Sequence, residues 1–243
     1  MQSLSLNISR LRYYVGEAIK LSRQGEAAES FVQRLLLFPK WNRSLSRTPV
    51  EDGAPWITYA ASNFLGRSLT DQMRVFEWGV GGSTIFFARQ VRELVSVEHD
   101  SKWAEEIHRV MQSVNCCSWR LFVVQPNGIG PIVEVDPADP DSYASSAQEY
   151  SGRSFNEYAS TIDQFPDQHF DIVFVDGRAR PSCVKHAIPK IRRGGYLFVD
   201  DMERARYAWV VKEMRRLGWR LHNFTGPAPY YSDFKCTGVW QAS

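Results

Sequence analysis

With 243 residues, 44% of them hydrophobic and 23% charged, the chain is long enough for one ample core and too short for two full catalytic domains. A formal net charge of +2 gives no strong pull towards nucleic acid or acidic membranes. The four cysteines (Cys116, Cys117, Cys183 and Cys236) lack the spacing of a disulfide framework and form no C-x-x-C pair, so a reducing, cytoplasmic setting is expected. Neither a membrane span nor secretion is expected, since no long apolar run and no apolar signal core is present.

Residues 1–50 read as a helical extension and linker. Leu11, Val15, Ala18 and Ile19 fall on one helical stripe and Phe31, Leu35 and Phe38 on another, with a break near Gln24 and Gly25. Pro39, Pro49, Gly53 and Pro55 then punctuate a loop leading to a main domain over residues 51–243. A packing or dimerising role, giving a homodimer, is the plainer reading of the extension; a lid over a ligand is the sharper one. The spacing of Ile57, Ala60 or Ala61, Phe64 and Leu65 predicts a helix over residues 56–69. Trp56 and Tyr59 on it either line a ligand crevice or are buried core aromatics.

The chain is organised around residues 74–100. A strand over residues 74–78 runs into Gly79-Val80-Gly81-Gly82-Ser83-Thr84, where glycines let the backbone approach a ligand and the following helix presents free N–H groups. The dinucleotide fingerprint G-x-G-x-x-G is incomplete, because Thr84 takes its sixth position. Glu77 either anchors the turn or meets a cationic amino group, which a dinucleotide does not carry. A second strand over residues 94–97 ends in Glu98, nineteen residues after Gly79, where a carboxylate can accept both hydroxyls of a ribose. A helix over residues 101–114, capped by Asp100 or Ser101, places Trp103, Ile107, Val110, Met111 and Val114 on one face.

The third predicted strand, residues 120–124, stops at Gln125-Pro126-Asn127-Gly128. Residues 129–168 follow as an insertion bearing Tyr143, Tyr150 and Tyr158, with nine acids and one arginine between residues 133 and 171. An insertion of that length in a compact domain points to a substrate-facing element rather than a merely solvated loop, with a short helix over residues 154–162. The fourth strand, 171–175, is an apolar run ending in Asp176-Gly177-Arg178-Ala179-Arg180; the fifth, 196–199, ends in Asp200-Asp201. Three carboxylates at neighbouring strand ends repel one another unless a metal, a proton or Arg178, Arg180 and Arg204 offset them. A Mg²⁺-type site and an arginine-paired structural cluster both stand. A helix over residues 203–217 and strands over 219–224 and 237–241 close the chain with an antiparallel hairpin. The expected fold is α/β: a Rossmann-like doubly wound seven-stranded sheet, mostly parallel, with helices on both faces.

In their order, Glu77-x-Gly79-x-Gly81, Glu98, Asp176, Asp200-Asp201 and the closing hairpin resemble a class I S-adenosylmethionine-dependent methyltransferase over residues 56–240. Val175-Asp-Gly-Arg-Ala-Arg with Asp200-Asp201-x-x-Arg204-x-x-Tyr207 is similar to a bacterial subgroup of small methyltransferases whose substrates are mostly unassigned. The resemblance implies S-adenosylmethionine held by Glu77, Gly79, Val80, Gly81, Ser83, Thr84, Glu98, His99, Asn127 and Asp176. The methionine end lies over the glycine turn, the ribose on Glu98 and the adenine beside His99. Asn127 or the insertion stands where an acid commonly meets the adenine amino group. The implied reaction is methyl transfer to a small-molecule acceptor, foremost a hydroxyl, with Asp176 and His99 as candidate catalytic groups.

By similarity to metal-dependent catechol-type O-methyltransferases, Asp176, Asp200 and Asp201 form a candidate set for Mg²⁺ or another divalent cation, with Asp201 where an amide usually stands. Trp56, Tyr59, Tyr150, Arg178 and Tyr230 are candidate substrate residues. An NAD-dependent oxidoreductase, an RNA or protein methyltransferase and a non-catalytic cofactor-binding scaffold are the alternatives. Residues 174–220 carry twelve Lys or Arg against five acids, enough for a basic face, yet the acid-rich insertion is expected beside the same crevice. Nucleic acid is therefore not the expected partner.

Overall fold

The computed structural model describes residues 2–25, 29–114, 118–128 and 135–243, with the backbone alone for residues 2–6. Cys116, Cys117 and the start of the insertion at residues 129–134 lie outside the described residues. The elements, in chain order, are α1 (Gln2–Gln24), α2 (Phe31–Ser44), α3 (Pro49–Asp52), α4 (Tyr59–Ser68), β1 (Arg74–Trp78), α5 (Gly82–Ala88), β2 (Glu93–Glu98), α6 (Ser101–Met111) and β3 (Ser118–Val123). They continue with β4 (Asn127–Gly128), β5 (Arg153–Ser154), α7 (Asn156–Ser160), β6 (Phe170–Val175), α8 (Arg180–Ala187), β7 (Ile191–Val199), α9 (Ala208–Arg216), β8 (Arg220–Pro227) and β9 (Phe234–Gln241). Among the described residues no helix is long and apolar enough to cross a membrane.

The main sheet runs β3-β2-β1-β6-β7-β9-β8. Its first five strands are mutually parallel, and β9 enters antiparallel between β7 and β8. The strand order reverses direction between β1 and β6, which is where an open α/β sheet leaves a crevice at the carboxyl ends of its strands. Period-two alternation sends Phe76, Trp78, Val173, Val175 and Leu197 into one core layer with α7, α8 and α9. Val75, Ile172, Phe174 and Phe198 point into the opposite layer with α4, α5 and α6. Covering both faces is what makes the central strands nearly continuous apolar runs. The doubly wound seven-stranded reading is the observed fold.

Several boundaries differ from expectation for local reasons. The helix expected from residue 56 starts at Tyr59, because Thr58 caps it: its hydroxyl accepts the Ala61 N–H and donates to the Phe224 carbonyl. The helix expected from residue 203 starts only at Ala208, after a loop at Asp201–Arg204 and one 3₁₀ turn. The last strand begins three residues earlier than residue 237, at Phe234, since β8 pairs with it as far as Pro227. Pro39 lies inside α2 rather than in a loop.

The insertion folds against the body. β4 and β5 pair as a two-stranded ribbon, and Phe155, Tyr158 and Ile162 are buried in the core. The N-terminal helices are likewise docked, with Tyr14, Trp41 and Tyr59 forming a small buried cluster. After α2, the α3 segment carries a capping box of Thr48 and Glu51 and stops at Gly53, whose φ of 56° is left-handed. This strap lies directly on the start of α5: a Cβ at Gly82 would collide with the carbonyl oxygens of Pro49 and Ala54. Gly82 thus serves the approach of the chain's own backbone.

Candidate active site

A cavity of about 840 Å³ opens at the strand-order reversal. Its floor on one side is the turn after β1. Gly79 has φ 90°, and a Cβ there would lie 3.2 Å from the backbone of Gly177, so the loops after β1 and β6 touch. The turn is held from below by Glu77. That carboxylate is fully buried and accepts from Ser83 Oγ (2.8 Å), Thr84 Oγ1 (2.6 Å) and Ser96 Oγ (2.7 Å). Burial raises its pKa to about 7, against the lowering effect of the three hydroxyls. Thr84 Oγ1 in turn accepts the Gly81 N–H at 3.0 Å.

Glu98 ends β2 on the cavity wall. Its Oε1 accepts the backbone N–H groups of His99 (2.7 Å) and Asp100 (2.9 Å), and its Oε2 accepts that of Val80 (3.1 Å). Burial pushes its pKa up, but the His99 imidazole and the N–H groups outweigh it and hold the carboxyl below its usual range. His99 Nδ1 lies 2.6 Å from Glu98 Oε1 as a charge contact without hydrogen-bond alignment, and Nε2 is 2.9 Å from the Tyr150 hydroxyl. Trp103, fixed by Nε1–H donation to the Val80 carbonyl (2.8 Å), completes an aromatic wall.

The opposite side is built from the ends of β6, β7 and β9. Arg180 is buried and binds Asp176 Oδ1 and Asp201 Oδ2, each at 2.9 Å; Arg204 reaches the same Asp201 oxygen at 2.9 Å. Lys235 Nζ lies 2.6 Å from both Asp200 Oδ2 and Asp201 Oδ1, and Asp200 Oδ1 accepts from Thr237 Oγ1 at 2.9 Å. Burial disfavours the Lys235 ammonium, but Asp200, Asp176 and Asp201 outweigh it and hold it firmly charged. For Asp176 burial raises the pKa to about 7, with Arg180 opposing and Asp200 adding to the rise. The two loops, after β6 and after β7, are strained as well as charged: Ala179 and Asp201 have φ of 46° and 60°, rare for residues with a Cβ.

No protein-family model and no curated protein matches the sequence. Among solved structures the chain is similar to a methyltransferase-like protein from Silicibacter pomeroyi, with TM-score 0.50 and 21% identity over 79% of this chain and 91% of that one. It is also similar to a candidate methyltransferase from Streptococcus mutans in complex with SAH (TM-score 0.51, 10% identity, 74% and 94% covered). A third is an rRNA methylase from Streptococcus thermophilus (TM-score 0.51, 8% identity, 81% and 98% covered). The chain has the class I methyltransferase fold.

Within this methyltransferase fold, Gly79, Val80, Gly81, Ser83, Glu98, His99, Asp176, Trp56, Tyr150 and Arg178 all line the one cavity. Five expected cofactor or substrate residues do not. Glu77 and Thr84 lie beneath the turn, tied to each other, and anchor it. Tyr59 and Tyr230 line a separate cavity of about 480 Å³ under the N-terminal helices, where Tyr230 donates to Asp52 at 2.9 Å. Asn127 is exposed and pairs with Ser154 in the insertion's ribbon, away from the cavity.

The three carboxylates of the candidate metal set are each paired with a cation. Among the described residues no cluster is arranged to hold a metal ion. An ammonium already bridges Asp200 and Asp201, and guanidinium groups take Asp201 and Asp176, so a divalent cation would have to displace bound cations. Of the three side chains only Asp176 keeps an oxygen, Oδ2, with no hydrogen bond or ion pair among the described residues. The arginine-paired reading fits, with one member unforeseen: Lys235 sits in the closing hairpin, and nothing in Phe234-Lys235-Cys236 marks it. Residues 48–50 and Glu203 also line the cavity without having been singled out, and Tyr231 lines it where its neighbour Tyr230 does not.

Proposed function

We propose that the chain transfers a methyl group from S-adenosylmethionine to a hydroxyl of a small molecule, with Asp176 as general base and Lys235 in place of a divalent cation. The observation carrying this is that one cavity joins Glu98 and the glycine turn to Asp176 and Lys235. Glu98 Oε2 takes a single bond, from Val80, which leaves it an acceptor for ribose hydroxyls. Gly79 and Gly81 allow close approach of the methionine portion, and Trp103, His99 and Tyr150 offer apolar and polar edges for an adenine. The bound cofactor supplies an electrophilic methyl on a sulfonium, whose C–S bonding pair stays on sulfur.

The residues then need only align the acceptor and remove one proton. Asp176 Oδ2 is free to accept it, and a pKa near 7 suits that role. Lys235 has three N–H donors and stays charged, so it stabilises negative charge developing on the acceptor oxygen. His99 is held by Glu98 and Tyr150 on the cofactor side, which favours a positioning role over that of base.

Cofactor binding is the direct test. S-adenosylmethionine at 100 times its Kd is expected to add about 2.7 kcal/mol of stability, NAD none, and Glu98→Ala is expected to weaken the affinity roughly ten- to a hundredfold. No stabilisation by S-adenosylmethionine at millimolar concentration would overturn the reading. With an acceptor found by labelled methyl transfer into a metabolite extract, Asp176→Asn is expected to lower kcat by about 10²–10⁴. The wild-type rate should rise with pH through about 7, as a base must be ionised, and the variant should lose that limb. The buried thiol of Cys183 suits a cytoplasmic setting. The exposed apolar Val32 and Leu36 suit a homodimer through the N-terminal helices, which light scattering would test.

A further inference from the structure

We propose that the methyl acceptor carries an anionic group, a carboxylate or a phosphate, held in an arginine cleft that adjoins the active-site cavity. The proposal rests on the methyl-transfer reading, because it assigns the acceptor of that site. The cleft, of about 40 Å³, lies beyond the ends of β6 and β7 and is lined by Arg178, Arg180, Arg204 and Arg206 with Ser145 and Ser146; among the described residues no acid lines it. Gly177, Arg178, Arg180 and Arg204 also line the main cavity, so the two spaces share a wall.

The four cations are unequally compensated. Arg180 is satisfied by Asp176 and Asp201 from the cavity side, and Arg204 shares Asp201 with it. Arg178 is stacked 5.3 Å over the Tyr150 ring and lies 3.6 Å from an oxygen of exposed Glu149, a loose contact. Arg206 is exposed and has no hydrogen bond or ion pair among the described residues. Guanidinium groups converging from two loops repel one another, and the repulsion is relieved by an anion whose oxygens match their forks. The first turn of α8 opens on the same cleft and adds partial charge of the same sign.

The cleft's size sets the kind of anion. A water needs roughly 10–15 Å³ on the same measure, so this space takes one head group. The acid-rich insertion forms its outer wall through Ser145 and Ser146, which disfavours a continuous polyanion. Arg178 spans both spaces, so a ligand anchored in the cleft can extend its remaining atoms towards Asp176.

The test is calorimetric titration of the full chain with inorganic phosphate and, separately, with acetate, with and without SAH. Arg206→Gln is titrated in parallel; its side chain is exposed and lines the cleft but not the main cavity, and its SAH affinity reports that the fold is intact. One of the two anions is expected to bind the wild type, and Arg206→Gln to weaken it roughly tenfold with SAH affinity unchanged. The stronger anion tells phosphate from carboxylate. SAH binding with no anion binding, or with anion binding equal in variant and wild type, overturns the cleft and leaves the methyl-transfer reading intact. Arginine-dependent anion binding without SAH binding upholds the cleft and overturns methyl transfer. Arginine-dependent, steeply salt-sensitive binding of a short RNA in place of the small anions overturns the small-molecule acceptor.

Discussion

On the cofactor side of the cavity, Glu77 and Glu98 are held largely by neutral donors, three hydroxyls on one and three backbone N–H groups on the other. On the side proposed for the acceptor, Asp176, Asp200 and Asp201 are held by Arg180, Arg204 and Lys235. The neutral donors all lie within one βαβ unit and fix backbone shape. Among the cations, Arg180 and Arg204 come from the neighbouring loops and Lys235 from β9, 35 residues beyond Asp200, and together they fix charge. The cofactor side should therefore depend on local geometry, and the acceptor side on mutual neutralisation that fails when one member is removed.

The largest effect is expected at Lys235. Lys235→Met leaves Asp200 and Asp201 buried without their shared ammonium, and breaking such a pair costs about 3–5 kcal/mol. Urea unfolding at pH 7.5 should show that loss. It should shrink as pH falls and the orphaned carboxyls take up protons. A loss under about 1 kcal/mol at pH 7.5 would mean that Lys235 behaves as a surface charge, and the contrast between the two sides would collapse.

Glu77 gives the opposite pattern. Its folded pKa of about 7 lies above the ordinary value of 4.5, so its stabilising contribution is present in full below about 4.5 and is lost as pH rises through about 7. Glu77→Gln does not titrate. The stability of the variant relative to wild type should therefore grow by on the order of 3 kcal/mol between pH 4.5 and 8. A difference that stays flat across that range would show the hydroxyls to be strong enough to keep Glu77 ionised throughout.

The same contrast explains what the sequence disclosed. Glu77, Gly79, Gly81 and Glu98 lie within a single βαβ unit, so spacing alone brings them together. Of the two roles open to Glu77, anchoring the turn is the one its hydroxyl partners support, and Thr84 is one of those partners. The other side needed contacts between distant elements: Asp200 and Asp201 were visible at a strand end, but Lys235 meets them only through the antiparallel entry of β9. Tyr230 and Tyr231 are adjacent, and their composition is the same; a φ of 64° at Tyr230 sends it to Asp52, while Tyr231 lines the cavity. No periodicity carries that distinction. Asn127 was placed by its position after a strand, and the ribbon with Ser154 drew it elsewhere.

The smallest effect expected bears on how the N-terminal extension joins the cofactor side. In an exposed helix, replacing glycine with alanine gains roughly 0.5–1 kcal/mol from backbone entropy. At Gly82 the added methyl would collide with the carbonyl oxygens of Pro49 and Ala54, which are backbone atoms of the strap and cannot rotate aside. Overpacking costs about 1–3 kcal/mol, so the net result for Gly82→Ala is a destabilisation of up to about 2.5 kcal/mol after the entropy gain is subtracted. Because Thr48, Pro49 and Val50 line the cavity, the displaced strap should also weaken S-adenosylmethionine binding. Thermal unfolding with and without the cofactor separates the two consequences. A stabilised variant with unchanged cofactor affinity would mean that the strap yields freely, and that the extension caps the site without being clamped to it.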